Sequence, residues 1–248
     1  MHRFYVAPED WRRDAPQLTG PEAHHAGKVL RLQPGDKAVL FDGRGRELTA
    51  EVTAVHHREV SLRKLHETTT APLRCRITLA QAIPKGKNMD LIVQKAVEIG
   101  AAAIVPIMSD RTVVRIDPVE AAQKQAKWQS IAIEAAKQCG QNWLPQVETP
   151  RPLAAFLTER PASDLALIGS LQSDALHLKK VLAEHAEAHG GSRPLSVLML
   201  VGPEGDFTPA ELNLARAAGC RPITLGPIIL RVETAAIYCL SVLSYELL

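Results

Sequence analysis

The sequence predicts a two-part fold: a small, mostly β barrel followed by a larger α/β domain with a mostly parallel sheet. Three observations carry this. Short β-branched or alternating runs crowd the first 70 or so residues, strands and capped helices alternate from Arg76 onward, and Leu165–Ile168 and Leu195–Val201 are unbroken apolar runs. An unbroken apolar run marks a strand buried on both faces, as parallel strands are.

In the first part, His2–Val6, Lys37–Phe41, Glu47–Val55 and Arg58–Leu65 read as strands. Asp42-Gly43 is a hairpin turn between two of them, because glycine accepts the positive φ such a turn needs. One helix interrupts the strands. Thr19-Gly20-Pro21-Glu22 has capping-box spacing with proline near the first turn, and the helix runs toward Leu32, before Pro34-Gly35. Glu67-Thr68-Thr69-Thr70-Ala71-Pro72 is polar, Thr-rich and ended by proline, and reads as a linker, so domains are expected over 1–71 and 72–248.

Beyond the linker, Arg76–Ile83 is a strand, and Asn88 caps a helix over Met89–Ile99 that Gly100 stops. Ala103–Ile107 is the next strand. Asp117-Pro118-Val119-Glu120 opens a long helix that ends at Gly140, and Thr208-Pro209-Ala210-Glu211 caps another that ends at Gly219. Pro222–Leu225 is the last strand and Val232–Leu247 the last helix.

Composition bounds the function. The 248 residues are 46% hydrophobic, enough for a proper core, but aromatic residues are only 4%, so aliphatic side chains fill it. A formal net charge of +2 announces no nucleic-acid partner by itself. Residues 1–71 carry 11 Lys+Arg against 10 Asp+Glu, residues 72–151 carry 11 against 7, and residues 152–248 carry 7 against 10. The basic middle suits an RNA-facing surface or uneven scatter on a solvated one. Cys75, Cys139, Cys220 and Cys239 show no C-x-x-C pairing, which argues against zinc or a disulfide frame and for a reducing compartment. The start lacks an apolar leader, and no run approaches the roughly 20 apolar residues of a membrane span, so a soluble cytoplasmic protein without membrane partners is expected.

Parallel sheets place ligands at the carboxyl ends of their strands. Two such ends carry unusual loops, Leu200-Val201-Gly202-Pro203-Glu204-Gly205-Asp206-Phe207 and Leu225-Gly226-Pro227-Ile228-Ile229-Leu230-Arg231-Val232-Glu233-Thr234-Ala235. Glycine lets backbone approach a ligand, and an apolar loop ending in Arg-x-Glu-Thr can hold an adenine-like ring with one cation at its edge. Tight strand-to-helix turns alone are the plainer reading of either loop; two together favour a shared pocket.

Val201–Phe207 and Leu225–Ala235 resemble the cofactor loops of the SPOUT methyltransferases, whose carboxyl-terminal chain is threaded into a trefoil knot. More narrowly, the chain resembles the bacterial 16S ribosomal RNA (uracil-N3)-methyltransferase family. Arg3-Phe4-Tyr5-Val6, His24-His25 with Val29-Leu30-Arg31, Gln94-Lys95-Ala96-Val97-Glu98-Ile99-Gly100 and Glu134-Ala135-Ala136-Lys137-Gln138-Cys139-Gly140 carry that resemblance along nearly the whole length. It implies a PUA-like RNA-binding barrel followed by a SPOUT α/β-knot domain. It also implies S-adenosyl-L-methionine as cofactor, N3-methylation of a uridine in 16S rRNA of the small ribosomal subunit, and a homodimer. The cofactor contacts implied are Val201, Gly202, Pro203, Glu204, Gly205, Leu225, Gly226, Ile229, Leu230 and Ala235. Members of the family often carry glycine where Asp206 stands and arginine where Ile228 and Gln141 stand.

Uracil N3 holds a proton at neutral pH, so an enzyme must remove it and stabilise charge building on the flanking carbonyl oxygens. Arg231 is the candidate for that stabilisation, and Glu204 or Glu233 for accepting the proton or orienting Arg231; spacing does not decide between the two. Arg3, His25, Arg31, Lys85 and Arg111 are the candidate RNA contacts. No metal is expected, since the residues of His24-His25 and of His56-His57 point apart in either regular structure. Lys85-Gly86-Lys87 lacks a P-loop frame, Gly43-Arg44-Gly45 precedes a strand rather than a helix, and Cys139 reads as structural. Two alternatives stand beside the leading function: another SPOUT RNA methyltransferase acting on a ribose 2′-hydroxyl or another base, and a catalytically inactive RNA-binding assembly factor. The intact Gly202–Gly205 and Leu230-Arg231 segments favour an enzyme.

Overall fold

The structure, a computed structural model, describes residues 1–112 and 116–248. Its contacts divide the chain into two units, Met1–Pro72 with Ile133–Leu144, and Leu73–Ala132 with Pro145–Leu248.

The first unit comprises β1 (His2–Tyr5), β2 (Gln17–Thr19), α1 (Gly20–His24), a π-helical turn over His25–Val29, β3 (Lys37–Phe41), β4 (Arg46–Val55) and β5 (Glu59–Thr69). The sheet runs β1-β3-β4-β5-β2, with β1 parallel to β3 and the other pairs antiparallel. The β4–β5 register shifts between Thr49 and Ala50 and again between Val52 and Ala54, and such bulges curl a sheet around its core. Phe4, Leu18, Ala26, Leu40, Leu48 and Val60 fill that core. At the β3–β4 turn, Asp42 Oδ1 accepts from the Arg44 and Arg46 amides at 2.8 and 3.0 Å. Gly43 and Gly45 have φ of 71° and 91°, and a Cβ on Gly45 would lie 2.6 Å from the Thr70 carbonyl oxygen.

Three expectations change here. The capping box at Thr19 does not form, and the α-helix stops at His24 before its π-helical turn. The three-residue β2 is too short to announce itself. The linker begins later than expected, because Glu67, Thr68 and Thr69 pair with Leu48, Glu47 and Arg46; β-branched threonines suit a ladder as well as a loop. Residues 133–144 join this unit through polar contacts. Lys137 Nζ lies 3.1 Å from Glu22 and 2.9 Å from Glu134, while Asn142 accepts from Arg3 at 2.5 Å and donates to Thr70 at 3.0 Å.

The second unit comprises β6 (Arg76–Ala82), α2 (Asn88–Ile99), β7 (Ala103–Met108), α3 (Pro118–Cys139, whose end belongs to the first unit), β8 (Gln146–Val147), β9 (Arg151–Pro152), α4 (Leu153–Glu159), β10 (Leu165–Gly169), β11 (Leu176–His177), α5 (Leu178–Ala188), β12 (Ser196–Val201), α6 (Pro209–Ala217), β13 (Arg221–Thr224) and α7 (Val232–Leu247). The sheet runs β11-β13-β10-β12-β6-β7-β8, β9 also pairs with β7, and every pairing is parallel. Ala80, Ile107, Ile168, Leu198 and Leu200 pack with Phe156 of α4 and Leu212 of α6 in one core cluster, while α7 packs against α2, β6 and β12. Gly100 ends α2 in the left-handed conformation, as expected. Asn88 does not cap α2. It is the first helical residue, and its side-chain amide donates to Glu233 at 3.2 Å. The sequence reading contains no α4, α5, β8, β9 or β11; α4 has seven residues, and α5 begins without a capping side chain.

Candidate active site

The strand order sets β10 between β12 and β13, so the loops leaving these three carboxyl ends are neighbours. They enclose a cleft of about 440 Å³, a volume within the usual range for a small-molecule site. Gly169, Ser170 and Leu171 line it after β10; Val201, Gly202, Pro203, Glu204 and Asp206 after β12. After β13 come Leu225, Gly226 and Ile228 through Glu233, with Ala235 on α7 and Asn88 on α2.

The loop after β12 is pinned on three sides. Glu204 Oε1 accepts from the Lys85 amide at 2.8 Å, the Gly205 carbonyl accepts from the Arg111 guanidinium, and Asp206 Oδ2 accepts from the Leu171 amide at 3.4 Å. Asp206 itself has φ of 60°, a left-handed conformation that aspartate tolerates, and its Oδ1 accepts from the Phe207 amide at 2.8 Å. Phe207, 2% exposed, then anchors the loop in the core.

Of the residues expected at the cofactor, Val201, Gly202, Pro203, Glu204, Leu225, Gly226, Ile229, Leu230 and Ala235 all line this cleft. Gly205 does not; its carbonyl faces Arg111. Arg231, Glu204 and Glu233 line it together. The RNA candidates are dispersed. Arg3 spends its guanidinium on Glu47 at 2.7 Å, on Asn142 and on the Phe41 ring. The His25 ring stands edge-on to Phe4, and Arg31 is exposed with φ of 54°. Lys85 and Arg111 lie in the second unit, both exposed. Asp206, Ile228 and Val232 line the cleft from within the two expected loops, though they were not named as contacts, and Asn88 and the Gly169-Ser170-Leu171 segment come from outside those loops. Of these last, only the segment carries a sequence signal, since Gly169 follows an apolar strand run as Gly202 follows another.

Residues 71–244 match the RNA methyltransferase domain, and residues 18–65 match the RNA methyltransferase PUA domain. Fold and site therefore define an RNA methyltransferase with a PUA-like first part and a SPOUT-type α/β second part. The chain is 31% identical over 250 residues to the ribosomal RNA small subunit methyltransferase E of Bacillus subtilis, with 99% of this chain and 97% of that protein covered. A ribosomal RNA small subunit methyltransferase E from Neisseria gonorrhoeae, bound to S-adenosyl methionine, is 34% identical with a TM-score of 0.86 over 99% of this chain and 98% of that one. A Legionella pneumophila structure in complex with the bound cofactor SAM is 33% identical, with a TM-score of 0.88 over 98% and 97%. The chain belongs to the ribosomal RNA small subunit methyltransferase E family. It is a ribosomal RNA methyltransferase, and its cofactor is S-adenosyl-L-methionine.

The cleft suits that cofactor on its own residues. Its lining side chains set Glu204, Asp206 and Glu233 against Arg231, a negative balance that favours a cationic sulfonium and ammonium. Ile228 and Ile229, 73% and 76% exposed, offer the apolar shelf for a flat heterocycle. Gly226, at φ of 110°, leaves open space where a Cβ would stand.

Proposed function

We propose that this enzyme methylates N3 of a uridine in the 16S rRNA of the small ribosomal subunit, with Arg231 as its charge-stabilising residue. One observation carries the reading: among the described residues Arg231 is the single cation lining the cleft, and its guanidinium has no hydrogen-bond or ion-pair partner. Its guanidinium is thus available for a uracil carbonyl oxygen as negative charge grows there. S-adenosyl-L-methionine supplies an electrophilic methyl group when bound. Glu204 holds the Lys85 amide with Oε1, and Glu233 holds Asn88 with Oε2, which leaves each carboxylate one oxygen to accept the N3 proton. The cleft's own carboxylates and guanidinium supply the proton acceptor and the cation, so the proposed scheme calls on no metal.

Arg31 in the first unit and Lys85 in the second supply exposed cations for RNA phosphates. The enzyme acts as a homodimer through α7, on which Tyr238 and Tyr245, seven residues apart and so on one face, are exposed. It works in the cytoplasm, in keeping with four free cysteines and the absence, among the described residues, of a helix long and apolar enough to cross a membrane. Incubating the protein and cofactor with small subunits from cells lacking it, then mapping nucleosides by mass, tests the reaction. A base-methylated uridine is expected. A ribose methyl group would move the enzyme to 2′-hydroxyl chemistry, and neither product nor cofactor binding would leave an assembly factor.

A further inference from the structure

Strand β7 and strand β12 are not neighbours in the sheet, since β6 separates them. Their loops nevertheless meet. The Arg111 guanidinium donates to the Gly205 carbonyl, and the Arg111 Cδ lies 3.3 Å from where a Gly205 Cβ would stand. Glycine at 205 is thereby accounted for by the arginine stem packed over it.

The turn that presents Arg111 is itself held. The Thr112 amide donates to the Ser109 carbonyl at 2.9 Å, and the Ser109 amide to the Thr112 hydroxyl at 3.0 Å. Glu211, 7% exposed, joins this turn to the end of the cofactor loop: Oε1 accepts from the Asp110 amide at 2.8 Å and Oε2 from the Thr208 amide at 2.8 Å. A capping box needs only the Thr208 half of that arrangement. The bond to Asp110 goes further, and with it a single buried carboxylate ties both loops to the start of α6.

We infer that Arg111 is a positioning residue for cofactor binding rather than only an RNA contact, and that Glu211 is the latch that keeps it in place. The inference rests on the cleft being the S-adenosyl-L-methionine site. Arg111 does not itself line the cleft and acts through the Gly205 carbonyl, which sets the path of Gly202 through Asp206 along the cleft wall. Its effect should therefore fall on cofactor affinity.

The test is calorimetric titration of S-adenosyl-L-methionine into the RNA-free, full-length protein, wild type against Arg111→Met, Arg111→Lys and Glu211→Gln. Methionine keeps the stem over Gly205 and removes the donor, and Arg111 is exposed, so the fold should survive. A hydrogen bond from a charged donor carries about tenfold or more in affinity. Arg111→Met is expected to weaken cofactor binding by about that factor, lysine to recover part of it, and Glu211→Gln to weaken binding in the same direction. Wild-type cofactor affinity in Arg111→Met, with RNA affinity reduced, would overturn the inference and leave Arg111 an RNA contact. A wild-type protein that binds no cofactor would overturn the cleft assignment itself, and the inference with it.

Discussion

Arg231 stands where the apolar Ile228-Ile229-Leu230 segment meets the first turn of α7, and neither Glu204 nor Glu233 pairs with it. A cation held apart from nearby carboxylates acts on charge that exists mainly in the transition state, so it governs rate more than ground-state binding. Replacing Arg231 with alanine is expected to slow single-turnover methylation on the order of 10²–10³-fold, about 2.7–4 kcal/mol, with a much smaller change in cofactor affinity. Parallel losses in the two measurements would make Arg231 a scaffold for the loop. The exposed cations behave differently. Arg31→Ala and Lys85→Ala should weaken RNA binding and flatten its salt dependence, by roughly 0.7–0.9 per log unit of salt for each phosphate no longer neutralised. Neither should alter cofactor affinity, because only the Lys85 backbone amide, which alanine keeps, reaches the cofactor loop.

At the scale of elements, α5 carries a titratable weak point. His185 is buried on it and stacks on His189 with ring centroids 4.1 Å apart. Burial, and then the neighbouring His189 and Arg221, hold its pKa below the ordinary value, with Asp164 pulling the other way. A depressed histidine binds fewer protons in the folded chain than in the unfolded one. Its neutral form therefore contributes stability above about pH 6.5, and that contribution is lost as the pH falls below it. Denaturant melts from about pH 7 to about pH 5 should show stability declining, and His185→Gln should flatten the decline; an unchanged slope would assign the effect to other groups. The buried cysteines lie at the other extreme. Burial pushes Cys239 up to about 12 and Cys75 up to about 11, so both stay as inert thiols at neutral pH.

For the molecule as a whole, α7 decides the assembly proposed here. Val232, Ala236, Cys239, Leu240, Leu243 and Leu247 are buried within the second unit, so one face of the helix is already covered. The opposite face presents Thr234, Tyr238, Ser241 and Tyr245, at spacings of four, three and four, as a single line. Tyr245 is 88% exposed, and tyrosine is a residue that interface cores favour. Sedimentation at micromolar concentration should find a dimer, and Tyr238→Asp with Tyr245→Asp should find a monomer that still unfolds cooperatively. A wild-type monomer would remove α7 from the interface and the dimer from the reading.

Much of this was legible along the chain, because it rests on local patterning. Unbroken apolar runs marked β10 and β12, capping signals opened α3 and α6, and glycines closed α2 and α6. The two glycine-bearing loops stood at strand ends, where parallel sheets gather ligands, and they do line one cleft. Short elements such as α4 and β2 left no trace, since seven or three residues give periodicity too little to act on. Nor could spacing show which partners a side chain meets far along the chain. Asn88 reaches Glu233, Arg111 reaches Gly205, and Glu211 reaches Asp110 across separations of 145, 94 and 101 residues. Those pairings exist only once a parallel sheet has laid its strand ends side by side, and so the loops of the cleft were readable in the sequence while the contacts that hold them were decided by the tertiary fold.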